Sequence, residues 1–171
     1  MTANRAAHDL LIACARWEPS ARELGTVRER ASAAVDWDAW AGLVRWHRVV
    51  PHAQRALSAA GASVPATLAE SLRGETLAIA ARALARAQQL AVLMRAFDAD
   101  GVPALPFKGP ALSLAAYGEL AARASTDLDV VVAPRDVDRA RETMVRCGYR
   151  SASSMSPAQE RVLQRSFGHF V

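Results

Sequence analysis

Four Asp-x-Asp pairs occur in the chain, at Asp36/Asp38, Asp98/Asp100, Asp127/Asp129 and Asp136/Asp138. Two carboxylates held together are costly unless a cation neutralises them, and hard oxygen ligands suit Mg²⁺. Three of the pairs have an adequate structural explanation. Asp36 fits a helix N-cap, Asp98/Asp100 lie near a helix end before Gly101, and Asp136/Asp138 fall in the first turn of a helix. Asp127/Asp129 instead head Asp127-Leu-Asp-Val-Val-Val132, the strongest strand pattern in the sequence. Residues two apart in a strand share a face, so these carboxylates are expected side by side, roughly 6 to 7 Å apart along the chain. Leu128, Val130 and Val132 then face a core. The pair reads either as Mg²⁺ ligands or as a solvated pair capping a turn.

Upstream, Phe107-Lys-Gly-Pro110 joins a predicted strand to a helix start. Exposed N–H groups at a helix N-terminus, with a glycine allowing close approach, favour phosphate, and a neighbouring lysine adds a point charge. Lys108 is the only lysine in the chain. The same residues also suit a tight surface turn.

The elements that must position these groups divide the chain in two. Residues 1–97 read as helices only. Ala6 to Trp17 is predicted as one helix and Ser20 to Ala34 as a second. A third starts at Asp36, carries Trp37, Trp40, Leu43 and Val44 at helical spacing, is interrupted at Pro51 and resumes to Gly61. Pro65 opens the longest element, with Thr67 and Glu70 as a capping box and Leu68, Leu72, Leu77, Leu84, Leu90 and Leu93 as its apolar stripe to Phe97. Gly74 is a place for it to bend. From Gly101 the pattern changes to strand (102–108), helix (109–118), strand (127–132), helix (134–148), helix (156–166) and the start of a strand at Gly168-His-Phe-Val171. The prolines of the first strand put it at an edge or bulge.

Composition excludes several classes. The 171 residues are 51% hydrophobic and 22% charged, which is globular rather than disordered. The most apolar stretch, Ala78 to Phe97, carries Arg82, Arg86 and Arg95, so no membrane span is expected. A net charge of +4 and a pI of 9.8 resemble a nucleic-acid signal. The arginines are scattered rather than clustered, however, and alanine makes up roughly a fifth of the chain, as a GC-rich coding bias would produce. A nucleic-acid partner is not expected. Cys14 and Cys147 make no metal spacing and read as reduced thiols of a cytoplasmic protein. The four tryptophans, Trp17, Trp37, Trp40 and Trp46, read as core or domain interface. His47 reads as a hydrogen-bonded structural residue, and Arg139, Arg146 and Arg150 as a solvated helix face and its exit.

Taken in order, Leu105-Pro-Phe-Lys-Gly-Pro-Ala-Leu112, Tyr117-Gly118, Arg123, Ser125-Thr-Asp-Leu-Asp-Val-Val-Val132 and Gly148-Tyr149 resemble the uncharacterised nucleotidyltransferase family of the polymerase-β-like superfamily. Trp46-His-Arg-Val-Val-Pro51 is similar to the His-x-Val-x-Pro turn of that family's helical part, so the resemblance spans about residues 40 to 150.

The resemblance implies an α+β fold: a helical region over 1–97, then a minimal nucleotidyltransferase core over 98–171 built on a small mixed sheet. It implies that Asp127 and Asp129 hold two Mg²⁺ ions against a nucleoside triphosphate. An acceptor hydroxyl attacks the α-phosphorus and pyrophosphate leaves. Lys108 and Gly109 fall where the superfamily places its Gly-Ser phosphate turn, with Pro110 in the serine position. Arg123 is assigned either to phosphate or to bracing the Asp strand, and the brace is preferred. Ser125 and Thr126 either donate to the carboxylates or cap the turn. The acceptor is an unknown hydroxyl on a small molecule, a protein side chain or an RNA end. The superfamily also uses a third carboxylate on a neighbouring strand. After Arg141 the only acidic residues are Glu142 and Glu160, both in predicted helices. The expectation is therefore a truncated chain, incomplete at its C-terminus, or a catalytically inactive binding or regulatory module with a protein partner.

Overall fold

The computed structural model describes residues 2–150 and residue 159. The described residues form seven α-helices and one two-stranded sheet, an α+β fold. Helices α1 (Thr2–Cys14), α2 (Ala21–Ala31), α3 (Trp37–Trp46), α4 (Val50–Ala60) and the first half of α5 (Ala66–Ala99) surround the larger core. Then follow β1 (Ala104–Phe107), α6 (Gly109–Tyr117), a 3-10 turn at Leu120–Ala122, β2 (Asp129–Val132), a second 3-10 turn at Pro134–Asp136 and α7 (Val137–Arg146).

Local chemistry explains where these elements begin and end. Asp36 caps α3, its carboxylate accepting from the Ala39 amide at 3.0 Å. The break between α3 and α4 falls at 47–49 rather than at Pro51, which lies in the first turn of α4, where its missing N–H costs nothing. Gly61 closes α4 and Gly118 closes α6 in the left-handed conformation. The capping box forms at Ser20 and Glu23 on α2, and not at Thr67 and Glu70. Pro65 takes the N-cap position of α5 without a side-chain cap, which leaves Thr67 already inside the helix. Gly74 does not break α5, which runs unbroken for 34 residues.

Helix α5 links two separate cores. Its Leu72 and Ile79 join the cluster built on Leu10, Val27, Trp40, Val44 and Leu57. Its Leu93 and Phe97 join Val102 and Ala140 in a smaller one. Of its expected apolar stripe, Leu77 and Leu84 lie instead at the surface. By length and composition α5 is long and apolar enough to cross a membrane, with a mean hydropathy of 1.2 over its most apolar 18 residues. Here it packs against α4, α6, β1 and α7.

Of the expected small sheet, the described residues contain β1 and β2, which pair antiparallel, Ala104 opposite Val132 and Phe107 opposite Asp129. Ala104, Val130 and Val132 pack on the small core, while Leu105, Phe107 and Val131 are exposed on the other face. The alternation of a half-buried strand is therefore obeyed. Of the predicted helix over 156–166, Gln159 is helical, and the strand expected at 168–171 lies outside the described residues.

Candidate functional site

The sheet register creates the site. Phe107 sits opposite Asp129, so the next residue, Lys108, emerges at the end of β1 beside the start of β2. Its Nζ lies 3.7 Å from Asp129 Oδ2. Gly109 follows at φ 50° and opens α6. A Cβ at Gly109 would stand 3.4 Å from the Asp127 carbonyl oxygen and 3.9 Å from Ser125 Oγ. The turn between β1 and α6 is thus pressed against the loop that precedes β2, and the absence of a side chain at Gly109 permits it.

The two segments enclose a cavity of about 160 Å³ lined by Lys108, Gly109, Arg123, Ser125, Thr126 and Asp127, with Arg48 from the α3–α4 turn. Five of the six site residues expected from sequence therefore line one space, and the sixth, Asp129, is tied to it through Lys108. One detail differs. Strand β2 begins at Asp129, so Asp127 stands in the loop before it and the pair does not share a strand face. Asp127 is exposed and Asp129 half-buried.

No contact from Arg123 to the Asp strand is seen among the described residues. Its side chain makes no hydrogen bond or ion pair among the described residues and is left to face the cavity. The hydroxyls of Ser125 and Thr126 are likewise uncommitted among the described residues. Sequence reasoning missed Arg48. It lies in the Trp46–Pro51 segment, but only tertiary structure brings that turn to residues 108–127.

The other Asp-x-Asp pairs do structural work. Asp100 accepts from Thr143 Oγ1 and from the Arg146 guanidinium, while its carbonyl accepts from Arg139 at 2.5 Å. Arg139 and Arg146, more than half exposed on the solvated face of α7 as expected, also clamp that helix to the end of α5. Asp136 is buried, with Arg135 and Arg139 each 3.6 Å away.

Behind the site the tryptophans separate by role. Trp40 is fully buried and meets Trp37 edge-on at 5.5 Å, but Trp46 is 83% exposed and belongs to neither core nor interface. Trp17 joins the two halves of the molecule. Its Nε1 donates to the Tyr117 carbonyl at 3.1 Å, its ring meets those of His52 and Tyr117 edge-on, and Arg55 lies over it at 4.4 Å. His52 is buried there, and burial, then the charges of Arg123 and Arg55, push its pKa below the ordinary histidine value. His47 is exposed and ends α3 through its backbone N–H rather than its ring. Cys14 and Cys147 are free thiols; burial pushes that of Cys14 up to about 12, which leaves it unreactive.

Comparison with curated proteins and with solved structures finds no match. A family model described as "Uncharacterised nucleotidyltransferase" matches residues 33–171, from the loop before α3 onward, and so takes in Arg48, Lys108, Gly109, Arg123, Ser125, Asp127 and Asp129 together. The match covers most of the chain, and the protein belongs to the uncharacterised nucleotidyltransferase family.

Proposed function

We propose that the protein is a Mg²⁺-dependent nucleotidyltransferase that moves a nucleoside monophosphate from a triphosphate to a hydroxyl acceptor. The observation that carries this reading is the convergence of Lys108, the Gly109 turn, Arg123 and Asp127 on one small cavity, with Asp129 joined to it through Lys108. Mg²⁺ keeps several waters and is commonly held by one or two carboxylates plus substrate phosphates, so two aspartates suffice as its protein ligands. The Lys108 ammonium 3.7 Å from Asp129 Oδ2 supports a cation beside this carboxylate. Asp127 and Asp129 would hold the ion, which would supply charge stabilisation at the phosphorus. Lys108, released from Asp129, would meet the departing phosphates. Gly109 lets the α6 N-terminus approach them, and the free hydroxyls of Ser125 and Thr126 orient the triphosphate.

A second reading has its own support. Among the described residues no group of three His, Cys, Asp or Glu side chains comes together, so no third carboxylate joins the pair there. A nucleotide-binding regulatory module that acts on a protein partner without transfer fits this arrangement.

Calorimetry with Mg²⁺ and each triphosphate, followed by a transfer assay, tests both readings. Asp127→Asn and Asp129→Asn are expected to abolish transfer and weaken Mg²⁺-nucleotide binding. Metal-free Tm should stay level for Asp127→Asn, whose side chain is exposed in the loop before β2, and fall slightly for Asp129→Asn, which loses Lys108. Turnover retained in the double variant refutes the metal assignment. Nucleotide binding without turnover in the parent supports the regulatory module.

A further inference from the structure

Arg48 and Lys108 are the two non-glycine residues with positive φ among the described residues, at 57° and 62°, and both line the same cavity. Helix α3 closes with the Arg48 amide donating to the Arg45 carbonyl and the Val49 amide to the Val44 carbonyl, each at 3.0 Å. In that closing pattern the left-handed position ordinarily belongs to glycine, because a Cβ there crowds the backbone. Gly61 and Gly118 fill the left-handed position after α4 and α6. An arginine after α3 serves the helix end less well than glycine would.

No other part of the described residues uses this side chain. Arg48 is exposed and makes no side-chain hydrogen bond or ion pair among the described residues. Lys108, at φ 62° and ψ −153°, occupies a backbone region that is essentially reserved for glycine. Two cationic side chains thus stand at the two non-glycine positions of positive φ among the described residues, where the backbone disfavours any side chain, and both line one cavity. Arg123, which has no hydrogen bond or ion pair among the described residues, adds a third cation, against the single carboxylate of Asp127 in the lining. At about 160 Å³ the space is smaller than the ~300–1,000 Å³ of a pocket that encloses a whole ligand, and suits phosphate groups rather than a base and sugar.

We propose that Arg48, delivered by the α3–α4 turn, binds the polyphosphate of the nucleotide together with Lys108 and Arg123, so that the helical and sheet regions build the binding site jointly. A guanidinium offers a planar fork that pairs two phosphate oxygens at once. The identity of the phosphate as a nucleotide's rests on the nucleotidyltransferase reading. The three-cation cradle does not.

The test titrates the full chain with inorganic tripolyphosphate without metal, and separately with each Mg²⁺-nucleoside triphosphate, for the parent, Arg48→Gly and Arg48→Lys. Arg48→Gly should keep or raise the Tm, since glycine suits the left-handed backbone, yet weaken both ligands about tenfold or more, the scale of one lost charge-assisted phosphate contact. Arg48→Lys should fall between, keeping the charge without the fork. Tripolyphosphate binding that is absent in the parent, or unchanged in Arg48→Gly, overturns the proposal. So does a large fall in Tm for Arg48→Gly, which would give the side chain to the fold. Arg48-dependent tripolyphosphate binding with no nucleotide binding supports the cradle and refutes the nucleotidyltransferase reading. Nucleotide binding indifferent to Arg48 does the reverse.

Discussion

The helical region and the sheet region are held together by different means. In the first, side chains from five helices, among them Leu10, Val27, Trp40, Val44, Leu57 and Leu72, close over one another in a continuous core. In the second, the buried cluster is Leu93, Phe97, Val102 and Ala140, and two of those belong to α5. A two-stranded sheet is marginal by itself. This one leaves Leu105, Phe107 and Val131 exposed on its outer face, and polar links complete what the thin core does not. Most of the candidate site lies on the thin side, on the segments 108–109 and 123–129, while Arg48 comes from the thick side. A rigid scaffold that carries loosely packed, charge-lined loops is the usual division of labour around a binding site.

The largest effect should come from the thick core. Trp40→Ala empties a fully buried position and is expected to cost about 3–5 kcal/mol by urea unfolding. Trp40→Phe should cost far less than its size change alone suggests, because the indole N–H is buried without a hydrogen-bond partner and nothing is lost with it. If Trp40→Ala left the helical signal intact and removed only nucleotide binding, the two regions would have been ranked wrongly.

Next comes the clamp that substitutes for core on the sheet side. Asp100→Ala frees Thr143 and Arg146 at once, leaves Arg139 on the backbone carbonyl, and is expected to cost about 1–2 kcal/mol, the Arg146 share being reduced because that side chain is more than half exposed. Hydrogen exchange should report the loss in α7 and β2 and leave α1 to α4 protected. Faster exchange throughout the helical region would show that the two halves unfold as one.

The sequence showed the short-range parts of this division and missed the long-range ones. Asp36 as a cap, Gly61 and Gly118 as stops, Pro110 at a helix start and Val130 and Val132 as inward residues are all settled within a few residues of themselves. The Lys108-Gly109 turn and Asp127 were legible from local pattern, while the grouping with Arg123 and Ser125 came from the resemblance to the nucleotidyltransferase family, whose motif positions lie within about twenty residues of one another here. Arg48 and Asp100 were not legible, since each acts on residues tens of positions away. Leu77 and Leu84 show the limit of periodicity: Leu77 is exposed although Leu72 and Ile79 on either side of it enter the first core, and Leu84 falls between the two cores. Ser20-x-x-Glu23 and Thr67-x-x-Glu70 are the same local signal, and the proline that already starts α5 decided which became a cap.

The smallest effect belongs to the seam where the two regions meet. His52 on α4 touches the rings of Trp17 and Tyr117 edge-on, its Nδ1 is buried without a partner, and the charged groups acting on it are Arg123 and Arg55. Arg55 is in turn paired with Glu119 at 3.0 Å. Burial and the two arginines favour the neutral ring, so the folded pKa lies below the unfolded value of about 6.5. Above that pH the ring is neutral in both states and the seam keeps its full strength. As the pH falls below 6.5 the unfolded chain takes up a proton that the folded one resists, and stability declines through the window down to the folded pKa. The Tm difference between pH 7.5 and pH 5.5 should therefore shrink in His52→Phe, which keeps an aromatic ring against Trp17 and removes the proton. Because other groups titrate in the same range, the comparison of parent with variant carries the result rather than either slope alone. An equal Tm difference in both proteins would place the acid sensitivity elsewhere and leave Trp17 and Tyr117 as an apolar contact indifferent to pH.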